Sequence, residues 1–285
     1  MRKGLSLAVA GLVVGWCGSA MAGVVVTSTQ TKLDTKQANP STIYVDSDRL
    51  KVVTPENIAI FRADLNRVWV IDPQRRTYVE MTAETMQQMG NQIAGAGGQM
   101  AAAMAQMQAQ LSQMPPEQRA QIEAMMAGRG GLGGPPGGRG GAAAPPQVSF
   151  TKAGGSKTVA GWPCDQYRKT VNGQQEEDLC IAPITAAGLT AADFQVLDRF
   201  SAFMAPVMSS PMVPKNDYMG WNDMNKAIGF QGMPLDTVMY AGGKPDRQQT
   251  VNKIERTATP ASTYELPAGL TKQDIGAMFG GRGTR

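Results

Sequence analysis

Two predicted strands and the turn between them lie in RVWVIDPQRRTYVEM, residues 67–81. In the first strand Val68 and Val70 point to one side. Trp69 and Ile71 point to the other, because successive side chains of a strand alternate. A sheet with one face in water would alternate apolar with polar residues. Both faces of this strand must therefore be covered, one by the protein core and the other by a helix or a ligand cavity.

Short strand-like runs recur on both sides of this segment at the regular spacing of an antiparallel sheet. In the first half, the predicted strands are 24–33, 42–46, 49–54, 58–63, 67–72 and 77–81, with a turn at Asn39-Pro40. In the second half they are 148–152, 157–159, 162–170, 174–182, 232–240, 248–257 and 262–266. The pattern predicts an α+β protein built on a curved, incompletely closed antiparallel sheet, with helices covering its concave face.

An apolar, weakly charged insertion separates the two halves, and residues 83–127 of it predict a helical hairpin. Pro115 and Pro116 break the hairpin in two, because proline lacks the backbone donor. The glycine-rich residues 128–147 predict a disordered linker. Five apolar residues recur at helical spacing and form one stripe: Met100, Met104, Met107, Leu111 and Met114.

The methionine stripe has three interpretations. It packs on the protein's own sheet, or it is a lid over a hydrophobic ligand, for which flexible methionine side chains are suited. Alternatively its thioethers bind Cu(I), as soft ligands do, although the chain has no histidine to assist. The methionine pairs for such a metal site are Met86-x-x-Met89, Met104-x-x-Met107 and Met125-Met126. The candidate ligand-binding residues are Trp69, Ile71, Tyr78, Met100, Met104 and Met107; for the aromatic ones, burial in a core is the competing interpretation.

The N-terminus predicts a secretory signal peptide, residues 1–22. Arg2 and Lys3 precede an apolar run, and Ala20-Met21-Ala22 supplies the small residues of a cleavage site. We expect cleavage after Ala22 and a periplasmic protein; an uncleaved N-terminal anchor is the alternative. The remaining 263 residues, 23–285, are long enough for a single β domain. Removing Arg2 and Lys3 lowers the net charge from +4 to +2. A charge this low argues against a nucleic-acid partner.

Two cysteines remain after cleavage, Cys164 and Cys180. A hairpin with the three-residue loop Val171-Asn172-Gly173 places them opposite each other and predicts a cross-strand disulfide. The same register pairs Arg168 with Glu176. Two free thiols are the alternative, but they lack the spacing of a redox motif.

A helix is predicted after these strands. Thr190 and Asp193 have the spacing of a capping box, and an amphipathic stripe begins at Phe194. A second short helix is predicted over residues 217–228.

Several short motifs resemble a family of exported bacterial proteins known as a domain of unknown function. The matching motifs are 41–45 with Arg49-Leu50, 68–73 with Thr77-Tyr78, 114–119, 159–164 with Tyr167, and 264–269. That family is similar in architecture to periplasmic lipoprotein carriers of the LolA/LppX type, whose curved sheet is plugged by helices and holds acyl chains. The resemblance implies a lipid or other hydrophobic ligand, and it implies no catalytic residue.

The composition argues against an enzyme. Without histidine, the commonest general base and the usual Ser-His and Cys-His pairs are missing. We therefore expect a non-enzymatic, monomeric protein without cofactor or metal, which binds or carries a lipid or other hydrophobic molecule. The alternatives are a Met-rich Cu(I)-binding protein and a structural envelope protein that docks a protein partner through the Met-rich helix.

Overall fold

The structure is a computed structural model that describes residues 23–112, 147–208 and 221–275. Its strands are β1 (Gly23–Lys32), β2 (Gln37–Val45), β3 (Arg49–Val53), β4 (Ile58–Arg62), β5 (Arg67–Asp72), β6 (Thr77–Thr82), β7 (Val148–Val159), β8 (Trp162–Val171), β9 (Gln174–Pro183), β10 (Gly232–Ala241), β11 (Lys244–Thr257) and β12 (Thr271–Gln273). Its helices are α1 (Ala83–Ser112), α2 (Gln195–Met208) and α3 (Trp221–Ile228).

The twelve strands form one open sheet in the order β12-β6-β5-β4-β3-β2-β1-β11-β10-β9-β8-β7. Neighbouring strands are antiparallel, apart from β12, which runs parallel to β6. This confirms the predicted α+β class. The predicted signal peptide, the second helix of the hairpin and almost all of the predicted linker lie outside the described residues.

One face of β1–β6, here called the helix face, is covered by α1 and α2. It is built from Val24, Val45, Leu50, Phe61 and Val68, which are cross-strand neighbours and all buried. Burial of such a continuous apolar row is the main stabilising term for this layer.

Helix α1 begins directly after β6 because Thr82 caps it. The Thr82 hydroxyl oxygen accepts a hydrogen bond from the Thr85 backbone N–H at 3.3 Å. Met86, one turn further, has no exposed surface and packs on the helix face. Gly90 then lies against α2 at Pro206. Beyond this contact, the open space around Gly95 and Gly98 shows that the helix leaves the body of the protein.

The other face of β4 and β5, here called the strap face, is covered by the residues that follow β11, here called the C-terminal segment. Ile60, Trp69 and Ile71 pack there against Tyr264, which has no exposed surface. Lys51 donates a hydrogen bond to the Thr263 carbonyl oxygen at 2.9 Å and holds the segment in place. The expectation that both faces are covered is confirmed, and the second cover is an irregular segment.

The other half of the sheet, β7–β11, curls on itself. Cα atoms of β7 and β11 come within 8 Å of each other, although three strands separate them in the sheet. The ammonium of Lys157 on β7 lies 2.5 Å from the carboxylate of Asp236 on β10 and bridges the gap. Gln248 and Thr250 also donate hydrogen bonds to Asp236, which is buried. Burial opposes ionisation of this carboxyl, but these three donors outweigh it and lower its pKa.

The predicted disulfide between Cys164 and Cys180 is present, with an S–S distance of 2.08 Å. A disulfide fits an exported protein, because such bonds persist in oxidising compartments. The predicted register was wrong: Cys180 pairs with Gln166, so the disulfide is diagonal, and Arg168 pairs with Asp178 rather than Glu176.

The turn of this hairpin explains the difference in register. Asn172 and Gly173 both have positive φ angles, 51° and 80°, and form a two-residue loop. Asn-Gly favours this tight turn, and an irregularity between Lys169 and Thr170 then shifts the pairing.

Two further predictions were wrong. The predicted turn at Asn39-Pro40 lies inside β2, where Pro40 pairs with Thr29 of β1. Proline is tolerated there because β3 pairs with β2 only from Thr42 onward, so the missing donor faces no partner strand. The predicted strand 262–266 is instead a short 3₁₀ turn, Ala261–Tyr264, that buries Tyr264 on the strap face.

The contact between α1 and α2 can be tested with two glycines of α1. A Cβ atom at Gly90 would collide with the carbonyl oxygen of Pro206, whereas one at Gly98 meets open space. We expect Gly90→Ala to lower the free energy of unfolding by about 1–3 kcal/mol, as overpacking does. Gly98→Ala should leave it unchanged or raise it by up to about 1 kcal/mol, since alanine favours helix. Urea denaturation of both variants measures this, and equal effects would contradict the proposed contact.

The strap face predicts a loss of stability at alkaline pH. Burial raises the pKa of Tyr264 to about 12, whereas an unfolded tyrosine ionises near pH 10. Tyr264 therefore stabilises the fold fully below pH 10, and this contribution is lost as the pH rises towards 12. It amounts to about 2–3 kcal/mol.

Tyr264→Phe should remove this part of the alkaline loss in pH-dependent thermal unfolding. Burial lowers the pKa of Lys51, which makes the fold more stable as the pH rises. This effect is present in both the wild type and Tyr264→Phe, so it cancels in their comparison. Identical alkaline profiles for the two proteins would show that the Tyr264 hydroxyl is not buried in this way.

Candidate functional site

An open cleft of about 390 Å³ lies where α1, α2 and the β4–β5 connection meet. Its lining is mostly apolar, with three polar side chains. The residues around it are Phe61, Ala63, Asn66, Ala83, Gln87, Arg199, Ala202, Phe203 and Pro206. Ligand sites commonly combine such apolar walls with a few polar groups, at volumes of roughly 300–1,000 Å³.

The floor of the cleft is an aromatic cluster that joins the sheet to α2. The ring centroid of Phe61 lies 5.2 Å from that of Phe200 in an edge-on arrangement, and 5.5 Å from that of Phe203. Both distances are in the range in which aromatic pairs attract each other. Phe61 and Phe203 are buried, so the cleft has a fixed apolar base rather than one that must form on binding.

The position of α2 depends on Asp193, at the start of the helical segment. The capping box is confirmed: the Asp193 carboxylate accepts hydrogen bonds from the backbone N–H and the hydroxyl of Thr190, at 2.7 and 3.0 Å. Arg256 of β11 donates two more to it, at 2.9 and 2.7 Å. Burial opposes ionisation of Asp193, but the hydrogen bonds from Arg256 and Thr190 outweigh it and lower its pKa.

The rim of the cleft carries its polar groups. Arg199 of α2 is exposed, and Gln87 of α1 stands across the cleft from it. Asn66 follows a short 3₁₀ turn after β4 and has a left-handed backbone, with φ of 48°. The rim thus offers one cation and two side-chain amides above an apolar floor.

The structure brings three of the sequence-predicted site residues together, on the strap face and away from the cleft. Trp69 and Ile71 are buried on the strap face, and Tyr78 packs at the edge of the same cluster. Met100, Met104 and Met107 lie on the part of α1 beyond Gly90, whose described residues are mostly exposed. Met107 is 40% exposed, whereas the side chains of Met100 and Met104 lie outside the described part.

Sequence reasoning missed the cleft residues Phe61, Phe203 and Arg199. The apolar character of the strand around Phe61 and the amphipathic stripe through Phe203 were both visible. Their meeting was not, because they are distant in sequence and only the sheet topology juxtaposes them. Arg199 carries no sequence signal beyond an ordinary charge on the polar side of a helix.

The most buried carboxylates of the described residues are already hydrogen-bonded to neighbouring side chains. Asp236 accepts hydrogen bonds from three donors, as described above. Glu80 accepts from Trp69 at 2.8 Å and lies within ion-pair distance of Lys272 and Arg67. The hydrogen bonds from Lys272 and then Trp69 lower its pKa. Carboxylates that already accept several hydrogen bonds stabilise the sheet and hold β12 to it. Their lowered pKa values also make them poor proton acceptors.

Among the described residues, no group of three histidine, cysteine, aspartate or glutamate side chains gathers as a metal centre of those ligands would require. Among the helices described, none has the length and apolar character needed to cross a membrane. A smaller cavity of about 260 Å³ lies beside the disulfide, between Pro163 and Phe230.

No family model and no curated protein matches this chain significantly. Solved structures give weak likenesses. An uncharacterized conserved protein from Thermus thermophilus has a TM-score of 0.40 and 9% identity, over 90% of this chain and 92% of that one. A crystal structure of MucB gives 0.36 and 8%, over 88% of this chain and 60% of that one. The MucA/MucB complex of Pseudomonas aeruginosa gives 0.37 and 8%, over 88% and 58%.

The Asp193 cap can be tested at acid pH. We expect Asp193→Ala to lower the free energy of unfolding by about 1–2 kcal/mol near pH 7, as loss of a helix cap does. Because the pKa of Asp193 is lowered by folding, its contribution is present above the ordinary value of 3.8 and is lost as the pH falls below it. The difference between wild type and variant should therefore shrink in acid, measured by denaturant unfolding.

Asp223→Ala is the matched control. Asp223 is exposed in the first turn of α3 and should show a smaller effect. A difference between wild type and Asp193→Ala that stays constant from about pH 7 to about pH 2.5 would contradict the role of the ionised carboxylate.

Proposed function

We propose that this protein is a non-enzymatic binding protein of the cell envelope, which holds an apolar ligand in the cleft between α1 and α2. The observation that carries this proposal is the cleft itself, with its buried aromatic floor and its polar rim. Phe61, Phe203 and Pro206 border one opening there and give an apolar molecule a surface to pack on.

The size of the cleft limits the ligand. The helix face beneath α2 is filled by the protein's own side chains, so a large enclosed lipid cavity has no room there. A volume of about 390 Å³ near the lower end of known ligand sites suits one apolar chain or ring system. The proposal therefore keeps the hydrophobic ligand implied by the family resemblance but places it at the edge of the helical layer.

The polar side chains of the cleft support a binding role rather than catalysis. They are one guanidinium and two amides, and none of these is a usual proton acceptor in enzymes. The chain has no histidine to supply one.

Met86 and Met89 are one of the methionine pairs predicted for a Cu(I) site. Met86 has no exposed surface and Met89 packs beside it in the core, so this pair serves packing. Cu(I) binding through Met104 and Met107, and partner docking by the exposed half of α1, stay predictions.

Filling the cleft tests the proposal. Ala202 of α2 lines the cleft and is exposed, so Ala202→Trp should place an indole in the ligand's space without disturbing the core. We expect it to weaken binding of the neutral apolar probe N-phenyl-1-naphthylamine at least tenfold, measured by the fluorescence increase on binding.

Ala205→Trp is the matched control, because Ala205 is an exposed residue of the same helix that does not line the cleft. It should bind the probe as the wild type does. No saturable binding to the wild type, or equal weakening by both substitutions, would refute the cleft as the binding site. Native mass spectrometry of the protein purified without detergent then identifies any ligand that it retains.

A further inference from the structure

Arg199 differs from the other arginines of the described residues in having no hydrogen bond or ion pair within that part of the chain. The others are all engaged: Arg49, Arg62, Arg67, Arg75, Arg168, Arg247 and Arg256 pair with carboxylates, and Arg76 donates to the Gly269 carbonyl oxygen. Among the described arginines, Arg199 at the rim of an apolar cleft is therefore the one whose guanidinium is available to recognise an anion.

The surroundings of Arg199 strengthen this assignment. It shares the rim with Asn66 and Gln87, whose side-chain amides can each donate a hydrogen bond. Gln87 donates only a long hydrogen bond, 3.5 Å, to Asn91, and so retains donor capacity. The cleft lining contains no aspartate or glutamate that would repel an anion.

The apolar part of the cleft lies directly below these groups. Phe61 and Phe203 form its floor, and Phe203 follows Arg199 by four residues, about one helical turn. A ligand that uses both parts must be apolar along its length and carry a negative charge at one end. The planar guanidinium fork matches a carboxylate in geometry, since both oxygens can accept at once.

We infer that the ligand of the cleft is a single-chain amphiphile with a terminal carboxylate, whose chain lies on Phe61 and Phe203 and whose carboxylate pairs with Arg199. This inference rests on the proposed function and adds the chemical class of the ligand. A long-chain fatty acid is the simplest molecule of this class, and the volume of the cleft favours one chain over two.

A matched pair of ligands tests the charge separately from the chain. Dodecanoate and dodecan-1-ol have the same chain length and differ in the charged end. Each is titrated, below its aggregation concentration, into protein carrying N-phenyl-1-naphthylamine, and displacement of the probe is measured. We expect wild-type protein to bind dodecanoate at least tenfold more tightly than dodecan-1-ol, the size of one charge-assisted contact.

Three variants complete the experiment. Arg199→Gln should abolish the preference for dodecanoate while leaving the affinity for dodecan-1-ol unchanged. Arg199→Lys should keep part of the preference, because the charge remains and the planar fork is lost. Arg75→Gln, which removes an exposed arginine from a distant turn, should behave as the wild type.

The outcomes separate this inference from the proposed function. If the wild type binds both ligands equally and both are excluded by Ala202→Trp, the cleft is a binding site but the carboxylate assignment is wrong. If neither ligand nor the neutral probe binds, both proposals fail. If Arg199→Gln still prefers dodecanoate, the inference is also overturned, because another group must then bind the carboxylate.

Discussion

The packing of Phe61 against Phe200 and Phe203 is the contact on which the helical layer depends. It places α2 on the sheet, and α1 is in turn placed by the close approach of Gly90 to Pro206. The cleft lies beside the N-terminal part of α1, which carries Ala83 and Gln87 and precedes that approach, where part of the aromatic cluster is left uncovered. The sheet therefore places α2 and α2 places α1, and the candidate cleft lies between the two helices.

The two apolar faces of β4 and β5 explain why the fold needs both the helices and the C-terminal segment. Phe61 and Val68 require α2 on one side, whereas Ile60, Trp69 and Ile71 require Tyr264 on the other. A strand that must be covered twice is a strong constraint on topology, because two segments from distant parts of the chain have to reach it. The C-terminal segment meets this need without regular secondary structure over most of its length.

Much of the sheet could be predicted from the sequence, since alternation and turn residues are local signals. The strand Arg67–Asp72 was predicted with its observed bounds. The errors arose where local signals compete or distant ones decide. Asn172-Gly173 formed the tighter of two plausible turns, and Pro40 sits in a strand because of where β3 stops. Residues 262–266 resemble a strand but turn to bury Tyr264. The cleft could not be predicted, because Phe61, Arg199 and Gln87 meet only in the folded topology.

The pairing of β1 with β11 has a consequence for how the chain reaches its final state. The first and the second-to-last strands of the described residues are neighbours in the middle of the sheet, so the two halves are joined through contacts between the ends of the chain. Contacts of such long sequence separation form late, because the loop between them must be closed first. A chain that emerges N-terminus first would pair β1 with β2 early and leave the other edge of β1 unpaired until β11 has followed. Completion of the central sheet therefore has to wait for β11.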